Sequence, residues 1–179
     1  MNTALRHSLL VFAFGLLICA LAVLRLVASA ATETPHVELN ADSIAPRAIE
    51  DLTSKSVPRD YAFAWQTMGQ ALDENRSGLL DGYFTGLAKQ DLSDRVKSQL
   101  KSGMHTRYQD RGHKLEAIFY APAGDAMQLR DRAQFDIQVL DGDKVIYEEP
   151  VNADYIVLMT PGADRWMVRQ MQATQGEKP

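Results

Sequence analysis

The residues best suited to acid–base chemistry lie in the second half of the chain: Asp131, His113 and the tyrosines Tyr120, Tyr147 and Tyr155. Asp131 interrupts an alternation in which Met127, Leu129, Ala133, Phe135, Ile137 and Val139 exchange with Gln128, Arg130, Arg132, Gln134, Asp136 and Gln138. A carboxylate at such an inward position is a candidate general base, and a tyrosine hydroxyl facing it would donate to a developing oxyanion. The candidate catalytic set is therefore Asp131 with Tyr120 or Tyr155. The competing expectation is structural: Asp131 paired with a neighbouring arginine or turned outward by a bulge, and the tyrosines packed with their hydroxyls reaching water. Trp65, Tyr147, Trp166 and His113 are candidates for ligand contacts, and for the two tryptophans plain core packing competes with that role.

Metal chemistry has little support. His36, His105 and His113 are scattered without a Cys or a His-Glu partner at ligand spacing, so neither a metal site nor a cofactor is expected. Asp141-Gly142-Asp143 looks like part of a calcium loop, but the remaining acidic ligands and the terminal Glu are missing, and it reads as a hairpin turn.

The elements that must position these residues follow from periodicity. Gly112 to Ala173 reads as four antiparallel strands, His113–Ala121, Ala126–Leu140, Lys144–Thr160 and Arg165–Ala173, joined by turns at residues 122–125, 141–143 and 161–164. Pro150 cannot donate to a ladder, so a bulge or a sheet edge is expected in the third of them. His105 to Arg111 reads as a loop or a short edge strand. Upstream, Ile49, Leu52, Val57, Tyr61, Ala64, Trp65, Met68 and Leu72 recur at helical spacing, with Pro58 starting or kinking the helix. Leu79, Leu80, Tyr83 and Phe84 form a short apolar turn, and Leu87, Leu92, Val96 and Leu100 carry a third helix whose start Asp91 or Ser93 would reset. Such helices would cover the apolar face of the sheet.

This order of elements resembles the nuclear transport factor 2-like superfamily, a cone-shaped α+β fold. The resemblance rests on the helix Tyr61-Ala62-Phe63-Ala64-Trp65 through Leu72, the turn Leu79-Leu80-Asp81-Gly82-Tyr83-Phe84 and the two long strands 126–140 and 144–160. The stretch also looks like the intermembrane-space domain of plant chloroplast-division proteins. The implied fold class is α+β, about three helices on a curved four-stranded antiparallel sheet spanning residues 57–173. The superfamily hosts isomerases, dehydratases, carriers and binding domains, so function has to come from a site.

Residues 8–27 are almost wholly apolar, follow Arg6-His7 and lead into Ala28-Ser29-Ala30. Residues 1–30 thus read as an export signal cleaved near Ala30 or as a transmembrane anchor, and either places Ala31 onward outside the cytoplasm, in a periplasm or at a cell surface. Residues 31–56 read as a linker with a possible helical start, and 174–179 as a polar tail. Of 19 basic and 23 acidic residues, the first thirty positions hold only Arg6 and Arg25, so the rest carries 17 basic and 23 acidic residues, a net of −6. That balance argues against nucleic acid. The single cysteine, Cys19, lies in the apolar run, so the domain must fold without disulfides. Arg130, Arg132, Gln134 and Asp136 form a mixed-charge outer face suited to a protein partner or self-association. The sequence therefore points to a tethered or exported binding or scaffold domain, with a small-molecule-binding or isomerase-like or dehydratase-like enzyme using the cone as the alternative.

Overall fold

The computed structural model describes residues 34–174. The apolar run at residues 8–27, read as a signal or anchor, and residues 175–179 lie outside the described residues. Among the described residues no helix is long and apolar enough to cross a membrane.

Strand β1 (Val37–Asn40) precedes helix α1 (Asp51–Asp73), a 3-10 helix (Ser77–Gly82) and helix α2 (Gly86–Ser102). Four long strands follow: β2 (Met104–Tyr120), β3 (Met127–Asp141), β4 (Lys144–Pro161) and β5 (Trp166–Ala173). They form one sheet in the order β1-β2-β3-β4-β5. The strands β2 to β5 are the expected antiparallel meander, and their tight turns begin and end within a residue or two of the predicted ones. Two expectations are corrected. The sheet is five-stranded and mixed, not four-stranded and antiparallel, because Val37–Asn40 pairs parallel to His113–Glu116 inside the stretch read as a linker. Four residues with two apolar positions give too short an alternation to announce a strand.

The second correction concerns residues 105–111, which are not a loop or a short strand; they pair with β3 on one side and, because β1 reaches only His113–Glu116, they are a sheet edge on the other. They form the first half of β2 and pair with β3 out to Met104 opposite Asp141. Their polar side chains meet polar side chains of the helices: the buried Thr106 donates to Gln99 at 2.6 Å, Arg95 donates to Tyr108 at 3.1 Å and His105 lies 2.8 Å from Asp73.

Helix α1 buries Val57, Tyr61, Trp65, Met68 and Leu72, the stripe that its 3-to-4 spacing predicts. Leu52 stays exposed. The helix runs through Pro58, which sits near its N-terminal end. Helix α2 starts at Gly86, ahead of the expected Asp91 or Ser93, and turns Ala88, Leu92 and Val96 inward while Leu87 and Leu100 remain exposed. The i, i+4, i+8 stripe thus runs through an alanine instead of the bulkier leucines. Gly103 at φ 72° ends α2 in the left-handed conformation that glycine adopts without penalty.

Inward positions of β3 alternate as predicted from Met127 to Phe135, but Gln138 is buried and Val139 only half-buried, the reverse of the expectation. The register with β4 shifts at Val139, where Ile146 is the extra residue of a bulge. Pro150 itself stays in register opposite Asp136, and its half of β4 is a sheet edge, because β5 pairs no further than Tyr155 opposite Ala173.

A polar cluster at the centre of the core

Bulges explain how acidic and basic side chains reach the interior. Residues three apart on a regular strand face opposite sides. In β2 the pairing steps from Asp110 opposite Phe135 to Gly112 opposite Gln134, so Arg111 is an extra residue and Asp110 and His113 come to share the inner face. Gly112 takes φ 141°, a conformation closed to most side chains, and permits the bulge. Across the strand pair, His113 faces Ala133 and Leu115 faces Asp131, which sets Asp131 diagonally beside the histidine.

The resulting contacts are short. Tyr61 Oη donates to Asp131 Oδ2 at 2.8 Å, His113 Nδ1 lies 2.8 Å from the same oxygen, and His113 Nε2 lies 2.6 Å from Asp110 Oδ2. With a carboxylate at each ring nitrogen, both nitrogens must donate, so the ring is an imidazolium. Its titration agrees: burial alone would lower it, but the hydrogen bonds to Asp110 and Asp131 outweigh that and hold it at about 9. Burial, then the adjacent Asp131 charge, pushes Tyr61 well above its ordinary value, so its hydroxyl keeps the proton it donates. Asp131 Oδ1 and Trp65 Nε1 are buried without a hydrogen-bond partner.

Asp131 is therefore at its expected inward position, but its ion-pair partner is a histidine and not an arginine, and no bulge turns it out. Neither Asp131 nor His113 exposes any side-chain surface, and Asp110, at 19%, is the one member of the triad that meets solvent. The space in front of them is filled. Trp65 packs its ring 4.4 Å from that of His113 and within 5.6 to 6.5 Å of Phe135, Tyr155, Tyr108 and Tyr61.

The other candidates scatter. Tyr155 lies opposite Asp131 on β4, half-buried against Trp65, and burial raises its hydroxyl to about 12. Tyr120 belongs to a separate group: its hydroxyl donates to Glu50 Oε2 at 3.2 Å, Arg47 stacks 5.0 Å over its ring, and Trp166 meets its edge. The backbone N–H of Trp166 donates to the buried Asp60 Oδ2 at 2.8 Å, which ties β5 to α1. Tyr147 is exposed near the open end of β4. Sequence reasoning missed Tyr61, Asp110 and Asp60 as polar members of the interior. The spacing of Tyr61 from Trp65 marked it as core, and nothing local betrayed the Arg111 bulge that re-aims Asp110.

The outer face carries Arg130, Arg132, Gln134 and Asp136 as the alternation requires. Arg130 pairs with Glu116 at 2.8 Å, and Asp136 is held by both ends of the Arg111 fork at 2.6 and 2.7 Å. Across the sheet, Glu38, Lys114, Arg132 and Asp154 share one row, which puts two cations directly opposite each other. A shallow groove of about 440 Å³ runs along this region, lined by Glu38, Asn40, Lys114, Glu116, Arg130 and Arg132 among others. Asp131 lines neither this groove nor the depression beside His36 and Phe63.

This is the cone-like α+β fold of nuclear transport factor 2-like proteins. Among solved structures, the intermembrane space region of chloroplast protein ARC6 is similar at a TM-score of 0.61, with 11% identity over 72% of this chain and 98% of that one. Aln2 from a Streptomyces species aligns at 0.46 with 12% identity over 71% and 93% of the two chains, and ActVI-ORFA from Streptomyces coelicolor at 0.45 with 13% over 68% and 96%. No protein-family model matches the sequence, and no curated protein does.

Proposed function

We propose that residues 34–174 form a binding or scaffold domain, held outside the cytoplasm by the apolar segment at residues 8–27, which contacts a protein partner through its outer sheet face. The observation that carries this reading is the occupied interior: Trp65 sits against His113, and Asp131 and His113 have no exposed side-chain surface. A cone-pocket isomerase or dehydratase needs its base within hydrogen-bond reach of a substrate. In this reading the Asp110–His113–Asp131–Tyr61 cluster is structural, and the bonds that converge on Asp131 Oδ2 and Asp110 Oδ2 fix strand register as buried polar networks can. The mixed charges of the outer face suit a specific, transient contact.

The test joins location to contact. Envelope fractions of cells making the full chain are cross-linked through photoreactive residues placed at Gln134, with and without Arg130→Glu and Arg132→Glu. The chain should fractionate with membranes, and the double reversal should remove the cross-linked product. A soluble chain beginning at Ala31 would remove the tether, and an unchanged cross-linking pattern would remove the outer face from the contact.

A further inference from the structure

We infer that the unpaired half of β4 accepts an extended basic segment of a partner protein as an added strand, an inference that rests on the binding-domain reading and names the partner's chemistry. The geometry fixes which backbone groups are on offer. Thr174 N donates to Asp154 O at 2.8 Å, so the backbone of Asp154 faces the β5 side. Backbone groups of alternate residues point the same way, and the register with β3 is unbroken from Met159 back to Tyr147. Asn152, Pro150 and Glu148 therefore turn their polar backbone to the same side, where β5 no longer runs and, among the described residues, no strand pairs with them. The edge offers the N–H and C=O of Glu148 and Asn152 and the C=O of Pro150, a row that an added strand can bond.

The side chains choose the occupant. Val151, Ala153 and Tyr155 lean against the core, so the odd positions form the inner row, which continues through the exposed Glu149 to the exposed Tyr147. The even positions Glu148, Pro150, Asn152 and Asp154 form the outer row, and neither Glu148 nor Asp154 has an ion-pair partner among the described residues. A strand laid along this edge meets a row that is apolar but for Glu149 on one side and an acidic row on the other. Alternating apolar and basic residues match both. A second copy of the chain matches neither: self-pairing would set acids against acids and leave carbonyls opposite Pro150 without a donor, a known way for edges to avoid their own kind.

The probe is an acetylated eight-residue peptide alternating Val and Lys, added to the full-length ¹⁵N-labelled chain in neutral detergent micelles, with amide hydrogen exchange read residue by residue. Saturating peptide should slow exchange at Glu148 and Asn152 at least tenfold, and the paired Glu148→Lys, Asp154→Lys variant should weaken binding by a similar factor. Asn152→Pro removes a donor that faces outward, so it should abolish the protection at Glu148 while leaving the β2–β3 amides as they were. The inference is overturned if both amides exchange at the free rate under saturating peptide. It is equally overturned if a Val-Glu peptide, or one methylated on its bonding nitrogens, binds as well, or if the chain self-associates through this edge and Asn152→Pro disperses it. Failure here with the Arg130 and Arg132 cross-links intact refutes strand addition and spares the binding-domain reading; loss of the cross-links' dependence with peptide protection intact does the opposite.

Discussion

The two halves of β4 differ in everything except continuity. From Tyr155 to Pro161 the strand pairs on both sides, and Val157 and Met159 are fully buried. From Lys144 to Ala153 it pairs on one side only, and Val145, Ile146 and Tyr147 face solvent. Val-Ile-Tyr and Ile-Val-Leu-Met are equally good strand sequences. What separates them is the cover that other elements bring, so strand propensity here reports fit to a pleated surface and not burial.

The sharpest way to break this contrast is to remove the cover. Trp65→Ala empties the contact between α1 and the inner sheet face and should destabilise the domain by roughly 3–5 kcal/mol in urea melts; a loss below about 1 kcal/mol would mean that the inner face does not depend on it. Within β4 itself, Met159→Ala should cost about 2–5 kcal/mol, whereas Ile146→Ala should stay within about 0.5 kcal/mol. Equal costs at the two positions would erase the distinction between the halves.

The covered inner face of the sheet also holds a titrating group, His113 on β2. His113 is raised from 6.5 to about 9 in the folded chain, so the stability it contributes is fully present below about pH 6.5 and is lost as pH rises through about 9. At about 1.4 kcal/mol per pKa unit, the loss across that window is on the order of 3 kcal/mol. Urea melts from pH 6 to 9.5 should show it, and Asp110→Asn, which removes the carboxylate at the solvent end, should move the fall to lower pH. A flat profile would contradict an imidazolium. The smallest effect belongs to the outer face: Arg132→Glu, at an exposed position, should leave thermal stability nearly unchanged, because such substitutions shift it by less than about 0.5 kcal/mol.

Much of this architecture was legible. The period-two run from Met127 to Phe135 and the helical stripe from Val57 to Leu72 gave the elements and their inward faces, and three turns gave the meander. The parallel strand β1 was not legible, because four residues borrow their structure from His113–Glu116, over seventy positions away. The site was half legible. Asp131 declared itself by breaking a pattern, but its partners depend on a one-residue bulge at Arg111 and on which turn of α1 meets which strand. Those are tertiary facts, and the arginine partner expected for Asp131 was the answer that neighbouring positions alone suggested.

The bond from the Trp166 N–H to Asp60 joins residues 106 positions apart, and it has a consequence for synthesis on the ribosome. Helix α1 leaves the exit tunnel long before any strand that will cover it, and its last cover, the β5 residues Trp166 and Val168, comes about 110 residues after Val57. At about 5–20 residues per second, the stripe of Val57, Tyr61, Trp65, Met68 and Leu72 spends roughly 5–20 seconds as naked apolar surface on a nascent chain. A chaperone or a translocation channel has that interval in which to hold it, and the domain closes only when the final hairpin arrives.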